Sequence, residues 1–375
     1  MTLGDFLGDL DLSALQDRLA GATDADVARA MQRPVVAEAD IPVLFSRAAD
    51  SQLECLASRS RALTRRRFGK VVTLYAPIYV SNECVNSCRY CGFGHDLRVP
   101  RSTLSAQRVW EEASLLRAKG FRHILLVSGE SRQHAGVDYL AEVVRGLRES
   151  FDAISIEIYP LDEAEYRVLE RAGVDGVTMY QETYDQDRYR ACHPAGPKRN
   201  FEYRLEALDR AGRAGFRSLG IGALLGLADW RMDATLLVLH GRYLSRRHWQ
   251  SRLAVSFPRL REAAAGYRCE YPVADRDLVH MVCAARVALP DAELVMSTRE
   301  PAGFRDRLIP LGITRMSAGS STTPGGYANP AATGEQFAVE DSRSPAEVAR
   351  AIAAHGYEPV WKDADRHLAS WNSRN

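Results

Sequence analysis

One pattern recurs eight times after residue 70: a short apolar or β-branched run, a loop, and a segment of helical periodicity. Most segments between the runs are long enough for a right-handed crossover between parallel strands. Eight such units over about 250 residues match a (β/α)8 barrel, although a doubly wound sheet is a structural alternative. The predicted strands cover residues 71–75, 123–127, 153–158, 176–180, 218–224, 253–257, 293–296 and 314–316.

Two further segments flank the predicted barrel. Residues 1–70 are expected to form an N-terminal helical extension, because leucines and valines between residues 10 and 67 recur at spacings that suit amphipathic helices. The barrel itself is expected over residues 71–321. Residues 322–375 are expected to close the barrel as a loop rich in Gly, Pro, Ser and Thr followed by a last helix over residues 345–355.

Composition gives no support to several other classes of protein. The 375 residues carry 49 Lys and Arg against 48 Asp and Glu, so the chain lacks the basic excess that is typical of nucleic-acid binders. No apolar run approaches the roughly 18 residues that a membrane span needs, and the first residues do not have the pattern of a signal peptide. We therefore expect a cytoplasmic protein that binds neither nucleic acid nor a membrane.

Three of the seven cysteines lie close together after the first predicted strand, in Asn82-Glu-Cys84-Val-Asn-Ser-Cys88-Arg-Tyr-Cys91-Gly-Phe-Gly94. Structural zinc is generally held by four ligands, and no second cysteine pair accompanies this C-x3-C-x2-C loop. Three thiolates on a [4Fe-4S] cluster leave one iron open for an outside ligand. The loop therefore predicts Cys84, Cys88 and Cys91 as metal ligands of such a cluster, with a zinc site or a chance spacing as alternatives.

The cysteine spacing, with the aromatic Tyr90 before the last cysteine, resembles that of the radical S-adenosylmethionine (radical SAM) superfamily. The resemblance implies a [4Fe-4S] cluster and S-adenosylmethionine as cofactors, with Tyr90 among the residues that contact them. Reduction of the bound S-adenosylmethionine then yields methionine and a 5′-deoxyadenosyl radical. The fold implied is the (β/α)8 TIM-type barrel of that superfamily, with its active site at the C-terminal ends of the strands.

Several residues at predicted strand ends match positions that this superfamily uses for its cofactor. The resemblance implies that Gly129 and Glu130 hold the methionine ammonium and that Glu157 contacts the nucleoside. It also implies that Glu182 and Arg204 seat the cofactor, with Arg204 directed toward the carboxylate, for which a guanidinium is geometrically suited. A plain turn at Gly129 and an ordinary ion pair between Glu182 and Arg204 are the structural alternatives.

Further motifs stand in one order along residues 40–365: Leu74-Tyr-Ala-Pro-Ile-Tyr79-Val-Ser-Asn82, Tyr180-Gln-Glu-Thr-Tyr184, Trp249-Gln-Ser-Arg252, Val255-Ser-Phe-Pro-Arg-Leu-Arg261, Ser297-Thr-Arg-Glu300, Pro324-Gly-Gly-Tyr327 and Pro359-Val-Trp-Lys-Asp363. Together they resemble the 2-iminoacetate synthases, the tyrosine lyases of thiamine biosynthesis. The resemblance implies cleavage of the Cα–Cβ bond of L-tyrosine to 2-iminoacetate (dehydroglycine) and p-cresol. It also implies a flavodoxin or ferredoxin as electron donor and makes thiazole synthase a candidate partner.

Such a reaction requires a zwitterionic amino acid to be held with its nitrogen against the reactive carbon. Arg299, at the end of the seventh predicted strand, is the expected carboxylate clamp. Tyr79 and Ser317 are candidates to orient the amine and the carboxylate. Packing or loop capping is the alternative for each of them. The lone loop histidines His95 and His193 are expected to be solvated.

Two other functions remain open at this point. A related radical SAM aromatic amino-acid lyase, for instance a tryptophan lyase of a natural-product pathway, would use the same cofactor and clamp with a differently shaped pocket. A non-catalytic iron–sulfur protein would need the cysteines but not Glu130, Glu182 and Arg204 together. The stretch Glu262-Ala-Ala-Ala-Gly-Tyr267 has fewer polar and turn residues than the family pattern leads us to expect, which leaves the choice of substrate open.

Overall fold

Eight parallel strands form a closed barrel in the structure, a computed structural model that describes residues 8, 10–261 and 266–362. The barrel closes because β1 pairs with both β2 and β8, which confirms the predicted (β/α)8 barrel and excludes a doubly wound sheet. Residues 262–265 of the Ala-rich stretch and Asp363 of the last motif lie outside the described residues. The barrel strands are β1 (Val71–Ser81), β2 (His123–Ser128), β3 (Ala153–Glu157), β4 (Gly176–Glu182), β5 (Ser218–Ala223), β6 (Arg252–Ser256), β7 (Glu293–Met296) and β8 (Arg315–Ser317).

Strand β1 is longer than predicted, because it continues past Tyr75 to Ser81 with almost all of its residues buried. Residues 73–75 pair with β8, and residues 76–81 pair with β2. The prediction ended the strand too early because Pro77 lacks a backbone N–H and proline is generally confined to the edges of sheets. The extension places Tyr79 on the strand itself, where its side chain lines the barrel mouth.

A ninth strand, β9 (Glu358–Val360), was not predicted and pairs in parallel with the start of β1. Three residues that include Pro359 give no alternating pattern from which a strand could be predicted. The following residue, Trp361, packs edge-on against Phe121 with ring centroids 5.2 Å apart. These contacts attach the C-terminal segment to the N-terminal end of the barrel.

The helices differ from the prediction in how they are divided. The helical stretch expected over residues 10–67 consists of five α-helices, and residues 201–214 between β4 and β5 form two. Helix α12 (Trp230–Arg247) follows the fifth barrel strand, and most of its residues are buried. None of the helices in the described ranges is both long and apolar enough to cross a membrane. The helices are α1 (Leu12–Ala20), α2 (Asp24–Gln32), α3 (Ile41–Leu44), α4 (Ala48–Ser51), α5 (Leu53–Phe68), α6 (Ala106–Ala118), α7 (Val137–Leu147), α8 (Glu163–Ala172), α9 (Gln186–Cys192), α10 (Phe201–Leu205), α11 (Ala207–Ala214), α12 (Trp230–Arg247), α13 (Asp275–Ala288), α14 (Ala302–Leu308) and α15 (Pro345–Ala354).

The N-terminal helices pack on the outside of the barrel against α12 and α13. Arg231 of α12 lies 2.7 Å from the Asp50 carboxylate and donates to the carbonyl oxygen of Phe45 at 2.7 Å. His280 of α13 contacts the other oxygen of Asp50 at 2.9 Å. The division of the chain after residues 70 and 321 remains a prediction, and these polar contacts describe how the first segment attaches to the second.

A buried ion pair attaches the segment after β8 to the barrel and leads to a first prediction. Arg305 of α14 pairs with Asp341, and both side chains are fully buried. Asp341→Ala leaves the guanidinium buried without its carboxylate, so we expect the free energy of unfolding to fall by about 3–5 kcal/mol. Denaturant unfolding of the variant and the parent measures this difference.

Asp306→Ala is the matched control, because Asp306 and Asp341 both contact Arg343. Asp306 is partly exposed, and its loss strands no fully buried charge, so its removal should cost about 1 kcal/mol or less. Equal losses of stability in the two variants would contradict the assignment of the stabilising role to the buried pair.

Candidate active site

The three predicted metal ligands lie in the loop that follows β1, at the C-terminal end of the barrel. The main-chain N–H of Phe93 points at the Cys91 sulfur with an N···S distance of 3.4 Å. The side-chain amide of Asn86 lies 3.8 Å from the Cys84 sulfur. Hydrogen bonds of this kind to sulfur stabilise thiolate ligands and tune the clusters that they hold.

The thiols of this loop need a nearby positive charge to ionise. Burial, together with the neighbouring Cys84 thiol, raises the pKa of Cys91, and burial raises the pKa of Cys88 far above its ordinary value. The irons of a cluster supply such a charge, because a coordinating thiol is deprotonated by its metal. The donor set fits an iron–sulfur cluster.

Gly129, at the turn after β2, packs directly on the cysteine loop. Its N–H donates to the carbonyl oxygen of Ser81 at 2.9 Å, and the next residue, Glu130, accepts from the N–H of Val85 at 2.9 Å. A Cβ atom at Gly129 would overlap the carbonyl oxygen of Glu83 and lie 3.2 Å from the Cβ of Cys84. The turn is therefore part of the support of the cluster loop.

We expect Gly129→Ala to displace the backbone next to Cys84. Overpacking of this kind costs about 1–3 kcal/mol, and here we expect it to appear both as a lower melting temperature and as a lower iron content after anaerobic reconstitution. Gly303→Ala is the control, because Gly303 lies in α14 with no atom within 4 Å of the added methyl group. That variant should keep its iron and be as stable as the parent or more stable. Full iron loading of Gly129→Ala would be evidence against the supporting role.

A buried cluster of charges lies at the end of β4. The Glu182 carboxylate is 2.7 Å from Nζ of Lys198 and 3.3 Å from the Arg204 guanidinium, which also donates to the carbonyl oxygen of Tyr180 at 2.7 Å. Burial acts to raise the pKa of Glu182, but the two cations outweigh it and lower the pKa below its ordinary value. Glu182 is the only non-glycine residue in the described ranges with a positive φ, 71°, and such strain is concentrated at functional sites.

Glu130, Lys198 and Arg204 line one cleft of about 320 Å³ at the barrel mouth. Asn86 connects the cysteine loop to this cleft, because its side-chain amide donates to the Glu130 carboxylate at 2.6 Å and its side-chain oxygen accepts from the N–H of Lys198 at 2.9 Å. Two cations and two carboxylates thus lie beside the cysteines. They provide complementary charges for a zwitterionic ligand.

His193 is not solvated, so that prediction was wrong. The side chain is fully buried, and burial lowers its pKa to about 3, which keeps the imidazole neutral. Its Nδ1 lies 2.7 Å from the carbonyl oxygen of Tyr189, so Nδ1 carries the hydrogen and Nε2 accepts from the hydroxyl of Tyr90 at 2.7 Å. His193 therefore positions Tyr90, whereas His95 is exposed as expected.

A second cavity lies inside the barrel mouth and brings together four predicted residues: Tyr79 of β1, Glu157 of β3, Arg299 after β7 and Ser317 of β8. Glu157 had been grouped with the cofactor residues. In the structure it lines the same cavity as the three predicted substrate residues and does not line the cleft formed by Glu130 and its neighbours.

Arg299 differs from the two other arginines near the strand ends. Its guanidinium stacks on the ring of Phe337, 3.4 Å from the centroid, and it meets no carboxylate partner within the described ranges. Arg259 and Arg261, in contrast, both pair with the buried Glu300. Arg299 is therefore a cation in a cavity with its charge available to a ligand.

Comparisons with known proteins agree with this arrangement. Residues 78–239 match the Radical SAM superfamily, and residues 256–358 match the Biotin and Thiamin Synthesis associated domain. The chain is 44% identical over 374 residues to the 2-iminoacetate synthase of Escherichia coli K12, which covers 100% of this chain and 99% of that protein. The chain belongs to the 2-iminoacetate synthase family. The enzyme of Salmonella typhimurium is 42% identical over 368 residues, 98% of each chain.

Two solved structures resemble this chain of the 2-iminoacetate synthase family over most of its length. It is 31% identical to HydG, a maturase of the [FeFe]-hydrogenase, with a TM-score of 0.89 that covers 95% of this chain and 81% of that one. Methylornithine synthase shares the fold with a TM-score of 0.71 at 21% identity, covering 89% of this chain and 97% of that one. As a member of this family the chain is a radical SAM lyase, and the superfamily implies an iron–sulfur cluster and S-adenosylmethionine.

Sequence reasoning on this 2-iminoacetate synthase family chain missed three side chains of the site: Lys198, Gln336 and Phe337. Lys198 lies in a short 3-10 helix (Pro197–Arg199), and nothing in its local sequence indicates that it pairs with Glu182. Gln336, whose side-chain oxygen accepts from the Tyr79 hydroxyl at 2.7 Å, belongs to the segment after β8. Only the polar Asn86 between two cysteines could have signalled that the cysteine loop has side-chain partners.

Proposed function

We propose that the chain cleaves the Cα–Cβ bond of L-tyrosine and releases 2-iminoacetate and p-cresol for the thiazole ring of thiamine. Family membership supports the reaction, since the relatives that match the whole chain are 2-iminoacetate synthases. The observation that carries the choice of an amino acid as substrate is the uncompensated guanidinium of Arg299 in a cavity lined by aromatic side chains. A carboxylate is the group that such a planar donor binds best.

We propose that Cys84, Cys88 and Cys91 hold a [4Fe-4S] cluster with one iron left open for S-adenosylmethionine. When bound, this pair supplies a 5′-deoxyadenosyl radical that removes a hydrogen atom from the substrate nitrogen. The contacts of Cys84 and Cys91 with the N–H groups of Asn86 and Phe93 support these ligands.

Further residues of the chain bind and orient S-adenosylmethionine in this proposal. Glu130 accepts hydrogen bonds from its ammonium group beside Gly129, and Arg204 binds its carboxylate. Glu182 holds Arg204 in place, and Tyr90 packs next to the cluster. The support is the charge arrangement, because Lys198 and Arg204 together exceed the charge of Glu182 and leave one positive charge for an anionic group.

In the substrate cavity, Arg299 binds the tyrosine carboxylate, while Tyr79 and Ser317 orient the amino acid. Tyr79 has its hydroxyl fixed by Gln336, and Ser317 accepts from the N–H of Thr298 at 3.1 Å. Groups held in this way reduce the entropy lost when substrate and radical carbon are brought into contact. Removing the substrate from water also protects a reactive carbon from side reactions.

We further propose that the enzyme works in the cytoplasm, receives its electron from a flavodoxin or ferredoxin, and delivers its product to a thiazole synthase. The match of residues 256–358 to a domain associated with biotin and thiamin synthesis supports the last of these, the thiazole synthase partner. 2-Iminoacetate hydrolyses readily, so a partner that consumes it close to the barrel mouth would limit its loss.

One anaerobic experiment tests the reaction. Reconstituted protein is incubated with dithionite, S-adenosylmethionine and tyrosine, tryptophan or phenylalanine in separate reactions, and the products are separated by chromatography. We expect p-cresol from tyrosine, in proportion to 5′-deoxyadenosine. An indole product from tryptophan without p-cresol from tyrosine would instead assign the chain to a tryptophan lyase, and 5′-deoxyadenosine without any cleavage product would refute the proposed function.

A further inference from the structure

The side chain of Glu157 is a carboxylate that lines the substrate cavity without a polar partner. It ends β3, is partly buried, and forms no ion pair or hydrogen bond through its carboxylate within the described ranges. Among the charged groups around it, Arg299 has the largest effect on the pKa of Glu157, and Arg299 lines the same cavity. The cavity therefore contains one free cation and one free anion, which is the charge pattern that a zwitterionic amino acid requires.

We propose that Glu157 binds the ammonium group of the substrate, opposite the carboxylate held by Arg299, and accepts one proton from it. This inference rests on the proposed function, because it assumes an α-amino acid in the cavity. The step moves a proton only: the ammonium becomes a neutral amine and the Glu157 carboxylate becomes a carboxylic acid. A neutral amine is the form whose N–H bond is available for hydrogen-atom removal.

The surroundings of Glu157 suit this role. Burial raises the pKa of Glu157 to about 7, with Glu182 acting in the same direction and Arg299, Arg204 and Lys198 acting against it. A group with a pKa near the working pH can both accept and return a proton. The titratable groups that face it from β1 and β4 are Tyr75, Tyr79 and Tyr180, and burial together with the Glu157 charge keeps their pKa values above the ordinary value.

The protonation state of Glu157 sets the direction in which kcat/KM for tyrosine changes with pH. Above pH 7 Glu157 is a carboxylate and can accept the proton, whereas below pH 7 it is increasingly protonated. We expect kcat/KM for tyrosine to fall about tenfold for each pH unit below about 7 in the parent enzyme. Glu157→Gln should abolish this acid limb, because the amide does not titrate.

Binding measurements separate this role from a contact with the nucleoside. Glu157→Gln is compared with the parent, both reconstituted anaerobically, for the binding of S-adenosylmethionine, of tyrosine, and of 3-(4-hydroxyphenyl)propionate, which lacks the amine. We expect S-adenosylmethionine and the propionate to bind as in the parent, within about twofold. Tyrosine should bind at least about tenfold more weakly, since a buried charged partner is lost.

Every other pattern overturns the inference. If Glu157→Gln weakened S-adenosylmethionine binding more than tenfold, Glu157 would be a nucleoside contact, and if it weakened tyrosine and the propionate equally, the amine would not be its partner. Unchanged tyrosine affinity would also exclude the role. Glu157→Asp retains the charge and should keep the acid limb, which guards against a folding defect. Absence of p-cresol from the parent enzyme would instead count against the proposed function.

Discussion

Arg299→Ala should lose tyrosine cleavage while keeping its iron and its S-adenosylmethionine binding. The guanidinium lines the inner cavity and forms no ion pair with a carboxylate within the described ranges. Loss of a charged partner in a desolvated site costs about 2–5 kcal/mol. We therefore expect kcat/KM for p-cresol formation to fall by roughly 10²- to 10³-fold or more. Chromatographic product analysis at several tyrosine concentrations measures this effect.

Two further variants make the test of the clamp specific. Arg299→Lys keeps the charge but loses the two-pronged donor, so it should recover only part of the activity. Arg261→Ala removes a nearby arginine that pairs with Glu300 and does not line the inner cavity, so it should leave the KM for tyrosine nearly unchanged. The clamp assignment fails if Arg299→Ala turns over tyrosine at the parental rate. Continued 5′-deoxyadenosine formation in that variant would indicate that only substrate binding was lost.

The barrel could be predicted because its strands are local apolar runs that end in polar loops. The predicted bounds of β7, residues 293–296, are those of the structure. The predictions failed where local patterns mislead: Pro77 lies inside β1, and Pro359 lies inside β9.

The site residues at strand ends could be predicted, because the C-terminal ends of the strands meet at one face of a barrel. Arg299 and Ser317 follow or end neighbouring strands, so the topology alone brings them together. Lys198 and Gln336 could not be predicted, because each belongs to a short connecting segment whose path depends on tertiary contacts. The regrouping of Glu157 has the same origin: its place at the end of β3 was expected, but the cavity that it lines depends on side chains from five other strands or their following loops.

Cys88→Ala should remove the cluster itself, which is a larger effect than the loss of the clamp. With two thiolates left in the loop, one further iron loses its protein ligand, and a cluster held in this way is not expected to survive isolation. We expect loss of most of the iron and of the visible absorption after anaerobic reconstitution. The yields of p-cresol and of 5′-deoxyadenosine should both fall by at least roughly 10³-fold. Any cluster that remains in the variant lacks one of its three protein ligands and is therefore expected to be inactive.

Cys192 is the matched control for this prediction, because it is buried and packs in the same apolar cluster as Cys88 but lies outside the C-x3-C-x2-C spacing. Cys192→Ala removes a thiol of equal size from the same surroundings, so it controls for the packing cost of the substitution. If burial alone made Cys88 important, the two variants would lose iron to the same extent. If Cys88 is a ligand, only its own variant loses the iron, and the spacing of the three cysteines is then what the chemistry depends on.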